Sequence, residues 1–139
     1  MLELSKGSVD IGIMVADEAG QQRFYGEALG LPFMGKVELP NGKLLIYACG
    51  DTLLKLYVIP DMGAKTAAST PSAGITYFTI NVADIKAAVA RLEAGGVDVQ
   101  PIGEFDAGVT LEPPVGRVKA LYAITADADG NMVELLQRI

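Results

Sequence analysis

Histidine is absent from the 139 residues, and cysteine occurs once, at Cys49. Without imidazole, serine and cysteine triads, histidine-bound zinc and histidine acid–base chemistry are all excluded. A single thiol allows no intrachain disulfide. Positive charge is scarce too: 11 Lys and Arg stand against 17 Asp and Glu, a net charge of −6. That field repels nucleic acid and anionic lipid, so neither is an expected partner. No apolar run approaches the roughly 18 residues of a membrane span, the longest being of the type Leu44–Cys49. No secretory leader precedes the first strand-like run, which makes the cytoplasm the expected location. Glycines stand singly at turns, with no phosphate-cradling run after a strand. Any chemistry falls to Asp, Glu, Lys, Tyr, Arg or the one thiol.

What is present is a folding chain: half of its residues are apolar and only 20% are charged, too apolar a mixture for disorder. Val9–Val15 reads as a strand, and Asp17 as the N-cap of a helix from about Glu18 to Leu29, with Gly30 and Pro32 as stop signals. Strand-like runs follow at 34–39, 43–49 and 52–59, separated by Pro40-Asn41-Gly42 and Gly50-Asp51 turns. The pattern then restarts. A strand at 75–82, the N-cap Asp84, a helix with Ile85, Val89 and Leu92 on one side, and strands at 99–105, 117–125 and 131–137 complete a second βαβββ unit. Val15-Ala16-Asp17 recurs as Val82-Ala83-Asp84 at the same point of the pattern, which favours internal duplication. One domain of two modules is therefore expected, 7–60 and 74–139, joined by a linker at 61–73 rich in small and polar residues.

Side chains alternate across a strand, so Ile11, Ile13 and Val15 share one face while Asp10, Gly12 and Met14 share the other. Phe78, Ile80 and Val82 repeat the apolar face; Tyr77, Thr79 and Asn81 repeat the mixed one. The apolar faces should pack on the helices, leaving the mixed faces to wall a pocket or to meet solvent. Two curved sheets side by side would enclose a groove.

Asp17 between strand and helix, Phe24-Tyr25, Leu29-Gly30-Leu31, the partial copy around Asp84, and the ending Asp129-Gly130-Asn131-Met132-Val133-Glu134-Leu135 together resemble the vicinal oxygen chelate superfamily. This is the glyoxalase, bleomycin-resistance and ring-cleaving dioxygenase group, and the resemblance spans essentially the whole chain. It implies an α+β fold of two βαβββ modules whose mixed sheets form an open cup with the helices outside, and a homodimer. Metal-dependent members place a ligand on the first and last strand of each module. Those four places hold Asp10, Lys55, Tyr77 and Glu134, of which Glu134 alone matches the usual pattern; Ala128 also replaces a proline of the closing turn.

Lysine is a cation without an acceptor and a poor neighbour for a divalent ion. Lys55 is therefore expected to stand in for the metal between Asp10 and Glu134, and no cofactor is expected, although Asp10, Tyr77 and Glu134 remain an alternative set for a hard cation. Removing Lys55 from a buried arrangement of this kind would cost roughly 3–5 kcal/mol. In the catalytic reading Glu134 or Asp10 moves a proton while Lys55 and Tyr77 stabilise an oxyanion; in the structural reading the charges pair and Tyr77 packs. Met14, Leu53, Tyr57, Thr79, Asn81 and Met132 share their side of the strands and suit a small organic ligand. Arg117, after the Glu112–Gly116 loop, stands where a guanidinium meets an anion at the mouth or meets solvent. Tyr47 lies on a strand near the cup with its direction open, and Cys49 reads as a packing residue. Three functions follow: a metal-independent lyase or isomerase acting on a carbonyl-bearing metabolite, a non-catalytic drug- or metabolite-binding resistance protein, or a metal-dependent lyase or dioxygenase.

Overall fold

Asp17 caps the first helix by accepting a hydrogen bond from Gly20 N at 2.9 Å, and Asp84 caps the second by accepting from Ala87 N at 3.0 Å. Around these two caps the computed structural model, which describes residues 2–61 and 73–139, arranges two βαβββ units. The first contains β1 (Ile11–Val15), α1 (Glu18–Gln21) continuing as a π-helical segment (Gln22–Ala28), β2 (Phe33–Leu39), β3 (Gly42–Cys49) and β4 (Thr52–Val58). The second contains β5 (Tyr77–Asn81), α2 (Ile85–Ala94), β6 (Gly103–Leu111), β7 (Gly116–Ala126) and β8 (Met132–Arg138).

The sheets have the orders β1-β4-β3-β2 and β5-β8-β7-β6. In each, the first strand runs parallel to the last and the remaining pairs are antiparallel. This is an α+β fold of the two-module, open-cup kind, with no closed barrel. No helix among the described residues is long and apolar enough to cross a membrane. Of the linker expected at 61–73, only Asp61 and Ala73 belong to the described residues.

Two elements differ from the sequence pattern. The first helix winds as a π-helix over most of its length, with Leu29 N donating to Phe24 O five residues back at 2.9 Å; the spacing of apolar residues does not distinguish that winding from an α-helix. Val99 forms an isolated bridge to Thr125, and the strand proper begins at Gly103 and continues to Leu111. Pro101 lacks an N–H for the ladder, and beyond Phe105, where the expected strand ends, the chain continues through a bulge between Asp106 and Thr110 with Gly108 at φ 72°.

The alternation along the strands holds. Ile11, Ile13 and Val15 pack toward the core while Met14 stays 53% exposed. One apolar cluster joins the covered faces of both sheets, running from Val15, Leu54, Leu56 and Val58 through Tyr25 and Ile85 to Val133 and Leu135. Polar contacts cross the same seam. Tyr25 donates its hydroxyl to Asp127 Oδ2 at 2.8 Å, and Gln21 Nε2 donates to Asp129 Oδ2 at 2.7 Å. Arg91 Nε donates to Ala28 O at 2.9 Å, its guanidinium lying so close to Gly30 that a Cβ there would collide with it.

Burial, with the Asp127 charge beside it, pushes the Tyr25 phenol well above its ordinary value of 10.0. The unfolded phenol ionises first, so this contribution to stability is whole below pH 10.0 and is lost as pH rises above it. Tyr25→Phe is expected to cost about 1–2 kcal/mol in urea unfolding at neutral pH and to flatten the alkaline fall in stability.

Candidate functional site

The face of the second sheet turned away from the helices is built by alternation on β8 and its neighbours. Thr79 lies opposite Glu134 in the β5–β8 ladder, and Tyr122 lies opposite Leu136 in the β7–β8 ladder. A cavity of about 380 Å³ opens on this face, within the range of small-molecule sites. Its walls include Tyr77 of β5, Phe105 of β6, Arg117 and Tyr122 of β7, and Glu134 and Arg138 of β8. All of its lining comes from the second module.

Glu134 accepts a hydrogen bond at Oε1 from Thr79 Oγ1 at 2.9 Å, which orients the carboxylate and leaves Oε2 without a protein partner among the described residues. Arg117 lines the cavity with one nitrogen already committed: Nη2 donates to both Asp106 oxygens, at 2.9 and 3.0 Å. The backbone N–H of Gly108 and the Arg117 guanidinium hold the Asp106 carboxyl below the usual range. Met132, opposite Tyr77 in the ladder, lies on the same face outside the cavity wall, and Asn81 lines a separate hollow beside Ala83 and Pro114.

The remaining candidates occupy the open face of the first sheet. Lys55 is opposite Gly12, and Tyr57 opposite Met14, in the β1–β4 ladder, with Leu53 two residues before Lys55 on the same side. Lys55 Nζ stands 3.6 Å from Asp10 Oδ2. Asp10 Oδ1 accepts from Lys6 Nζ at 2.6 Å and from Leu53 N at 3.1 Å. These two hydrogen bonds, with the Lys55 charge, hold Asp10 below the usual carboxylate value. Within one chain the structure thus brings Lys55 to Asp10 and Tyr77 to the cavity of Glu134, and no ion pair joins Lys55 to Glu134 among the described residues. The two pairs sit on different sheets whose covered faces share one core.

Lys55 is the one member of this donor set that does not suit a divalent ion, since an ammonium has no lone pair to coordinate. Within one chain the Lys55 ammonium lies beside the Asp10 carboxylate, and Glu134 is on the second sheet. No group of three or more Asp, Glu, Cys or His side chains among the described residues is placed to hold a metal. Tyr47 points into the core against Phe33 and Tyr25, where burial raises its phenol, and Cys49 is half-buried with its thiol pushed up for the same reason. Neither belongs to the cavity.

The cavity also shows what alternation alone overlooked. Leu136 and Arg138 continue the period-two row begun at Glu134, and that row was readable once the strand was carried to Arg138. Phe105, Lys119 and Tyr122 carried no comparable signal, because their direction depends on the bulged β6–β7 pairing.

A sequence profile of the Glyoxalase/Bleomycin resistance protein/Dioxygenase superfamily matches residues 9–135. The chain belongs to this superfamily. Solved structures agree in fold with this glyoxalase-superfamily chain. A glyoxalase family protein from Enterococcus faecalis is 20% identical with a TM-score of 0.66, the match covering 96% of each chain. TnmS3, an antibiotic binding protein from Streptomyces sp. CB03234, is 23% identical with a TM-score of 0.65, over 99% of this chain and all of that one (100%). A lactoylglutathione lyase from Agrobacterium tumefaciens is 20% identical with a TM-score of 0.64, over 97% and 96%. No curated protein sequence matches this superfamily member.

The first-sheet geometry is testable by itself. Asp10 is expected to titrate below 3.8, read from its side-chain carbon resonance, and Lys6→Ala is expected to raise that midpoint. The stability it carries stands above the ordinary carboxylate value and is lost as pH falls through the depressed one.

Proposed function

We propose that this chain is a metal-independent enzyme of the superfamily that takes a carbonyl-bearing organic ligand against the open face of its second sheet and transfers a proton through Glu134. The observation that carries this reading is the Glu134 carboxylate in the wall of an aromatic-lined cavity, with one oxygen oriented by Thr79. A carboxylate fixed in this way is placed to take a proton from a carbon next to a carbonyl, and the Tyr77 hydroxyl on the same wall is a donor for the oxygen on which charge then develops. Lys55 beside Asp10 supplies positive charge where metal-dependent relatives would need further anionic ligands, so the chemistry proceeds without a divalent ion.

The working unit in this reading is a homodimer. The first sheet of one copy covers the second sheet of the other, bringing Lys55 and Asp10 to face Glu134 and Tyr77. It is supported by large apolar side chains on both open faces, Met14 on the first and Tyr77, Phe105 and Met132 on the second, each at least 40% exposed. Sedimentation equilibrium is expected to give twice the monomer mass, and Met14→Glu to lower it toward one chain and to weaken ligand binding; a wild-type monomer at assay concentration contradicts the dimer.

Sequestration without chemistry is the second reading, favoured by the predominance of rings and aliphatic groups over acid–base groups in the wall. Exchange of α-hydrogens of bound carbonyl compounds in deuterium oxide separates the two. Glu134→Gln is expected to slow exchange by about 100-fold or more while affinity stays nearly unchanged. Binding with no exchange in the wild type supports sequestration. Exchange that requires an added divalent cation overturns metal independence.

A further inference from the structure

One cation in the wall of the Glu134 cavity stands apart from the others. Arg117, Lys119 and Arg138 line the cavity together with the carboxylate of Glu134. The three are not equivalent. Arg117 is paired with Asp106, and Lys119 Nζ lies 3.5 Å from Glu104 Oε1. Arg138 has no carboxylate partner among the described residues; its Nη1 donates to the backbone oxygens of Val115 at 2.7 Å and Pro114 at 3.5 Å. Those bonds hold the guanidinium against the β6–β7 turn and leave Nε and Nη2 without a protein acceptor among the described residues. A fork with its position fixed and donors unspent is a ready partner for a planar anion.

The rest of the wall gives the shape of that anion's body. Tyr77, Phe105 and Tyr122 supply rings, and Leu136 lies between Glu134 and Arg138 on the same side of β8. Four residues of strand separate Glu134 from Arg138, about 13 Å between their Cα positions. We infer that the cavity binds aromatic carboxylates, with the carboxylate on Arg138, the rings against Tyr77, Phe105 and Tyr122, and the far end of the ligand toward Glu134. The inference rests on the reading of this cavity as the ligand site and adds the sign and shape of what enters it. Glu134 at the opposite end repels an anion bound in reverse.

Three probes of one ring system and different charge test this on the full-length chain: naphthoate, naphthamide and naphthylmethylammonium, followed by calorimetry and by amide shifts of Tyr77, Tyr122 and Glu134. Naphthoate is expected to bind about tenfold more tightly than naphthamide and the ammonium more weakly than either. Arg138→Gln should abolish the advantage of naphthoate and leave naphthamide unchanged. Arg138→Lys, which keeps the charge and loses the planar fork, should keep only part of that advantage, and it decides the matter if Arg138→Gln also loses naphthamide through misfolding. Equal binding of naphthoate and naphthamide, or preference for the ammonium, overturns the anionic specificity while leaving a ligand site in place. If no probe shifts resonances of this wall, the ligand-site reading falls and the inference falls with it.

Discussion

The turn Asp127–Gly130 is the constraint on which the rest of the molecule depends. Asp127 and Asp129 are both nearly buried, and buried carboxylates persist only when their acceptor capacity is filled. Here it is filled from two directions. Within the turn, Asn131 N and Nδ2 and Asp129 N donate to Asp127; from the first helix, Tyr25 and Gln21 donate their side chains and Asp17 its backbone N–H. Gln21 and Tyr25, four residues apart in the first helix, meet two acids two residues apart in the turn, so the turn of the second module and the helix of the first are one hydrogen-bonded unit.

That unit accounts for the disposition of the sheets. The helix it grips lies on the covered face of the first sheet, and the turn it belongs to connects β7 and β8 of the second. Covered faces therefore share one apolar cluster, and the mixed faces remain available for ligand or for another copy. The chemistry divides accordingly. Positive charge beside Asp10 marks one open face, and Glu134 with rings and cations marks the other. On the first face the Lys55 ammonium lies beside the Asp10 carboxylate as an ion pair.

Much of this was legible in the residues. Asp17 and Asp84 announced both helix starts, since an aspartate after a strand and before an apolar stripe has backbone N–H groups to accept from. Alternation placed Met14, Lys55, Tyr57, Tyr77, Thr79 and Glu134 on open faces because a strand repeats every two residues. The π-helical winding was not legible, since the buried Gln21, Phe24, Tyr25 and Ala28 fall three and four residues apart, a spacing that reads as an α-helix. Nor was the bulge at Gly108, beyond the expected strand end at Phe105, because it depends on the pairing of β6 with β7.

The sequence by itself determined the order of the elements, the facing of side chains along the regular strands β1, β4, β5 and β8 and the chemical character of the four candidate positions, all of which depend on near neighbours in the chain. Only the tertiary structure decided which of those positions meet. It put Lys55 with Asp10, gave Glu134 to Thr79 and placed Arg138 in the wall of the same cavity. The reason is physical: a two-residue period fixes a direction relative to a strand and carries no information about how one sheet turns against another. That angle is set by contacts such as Tyr25–Asp127, whose partners are a hundred residues apart.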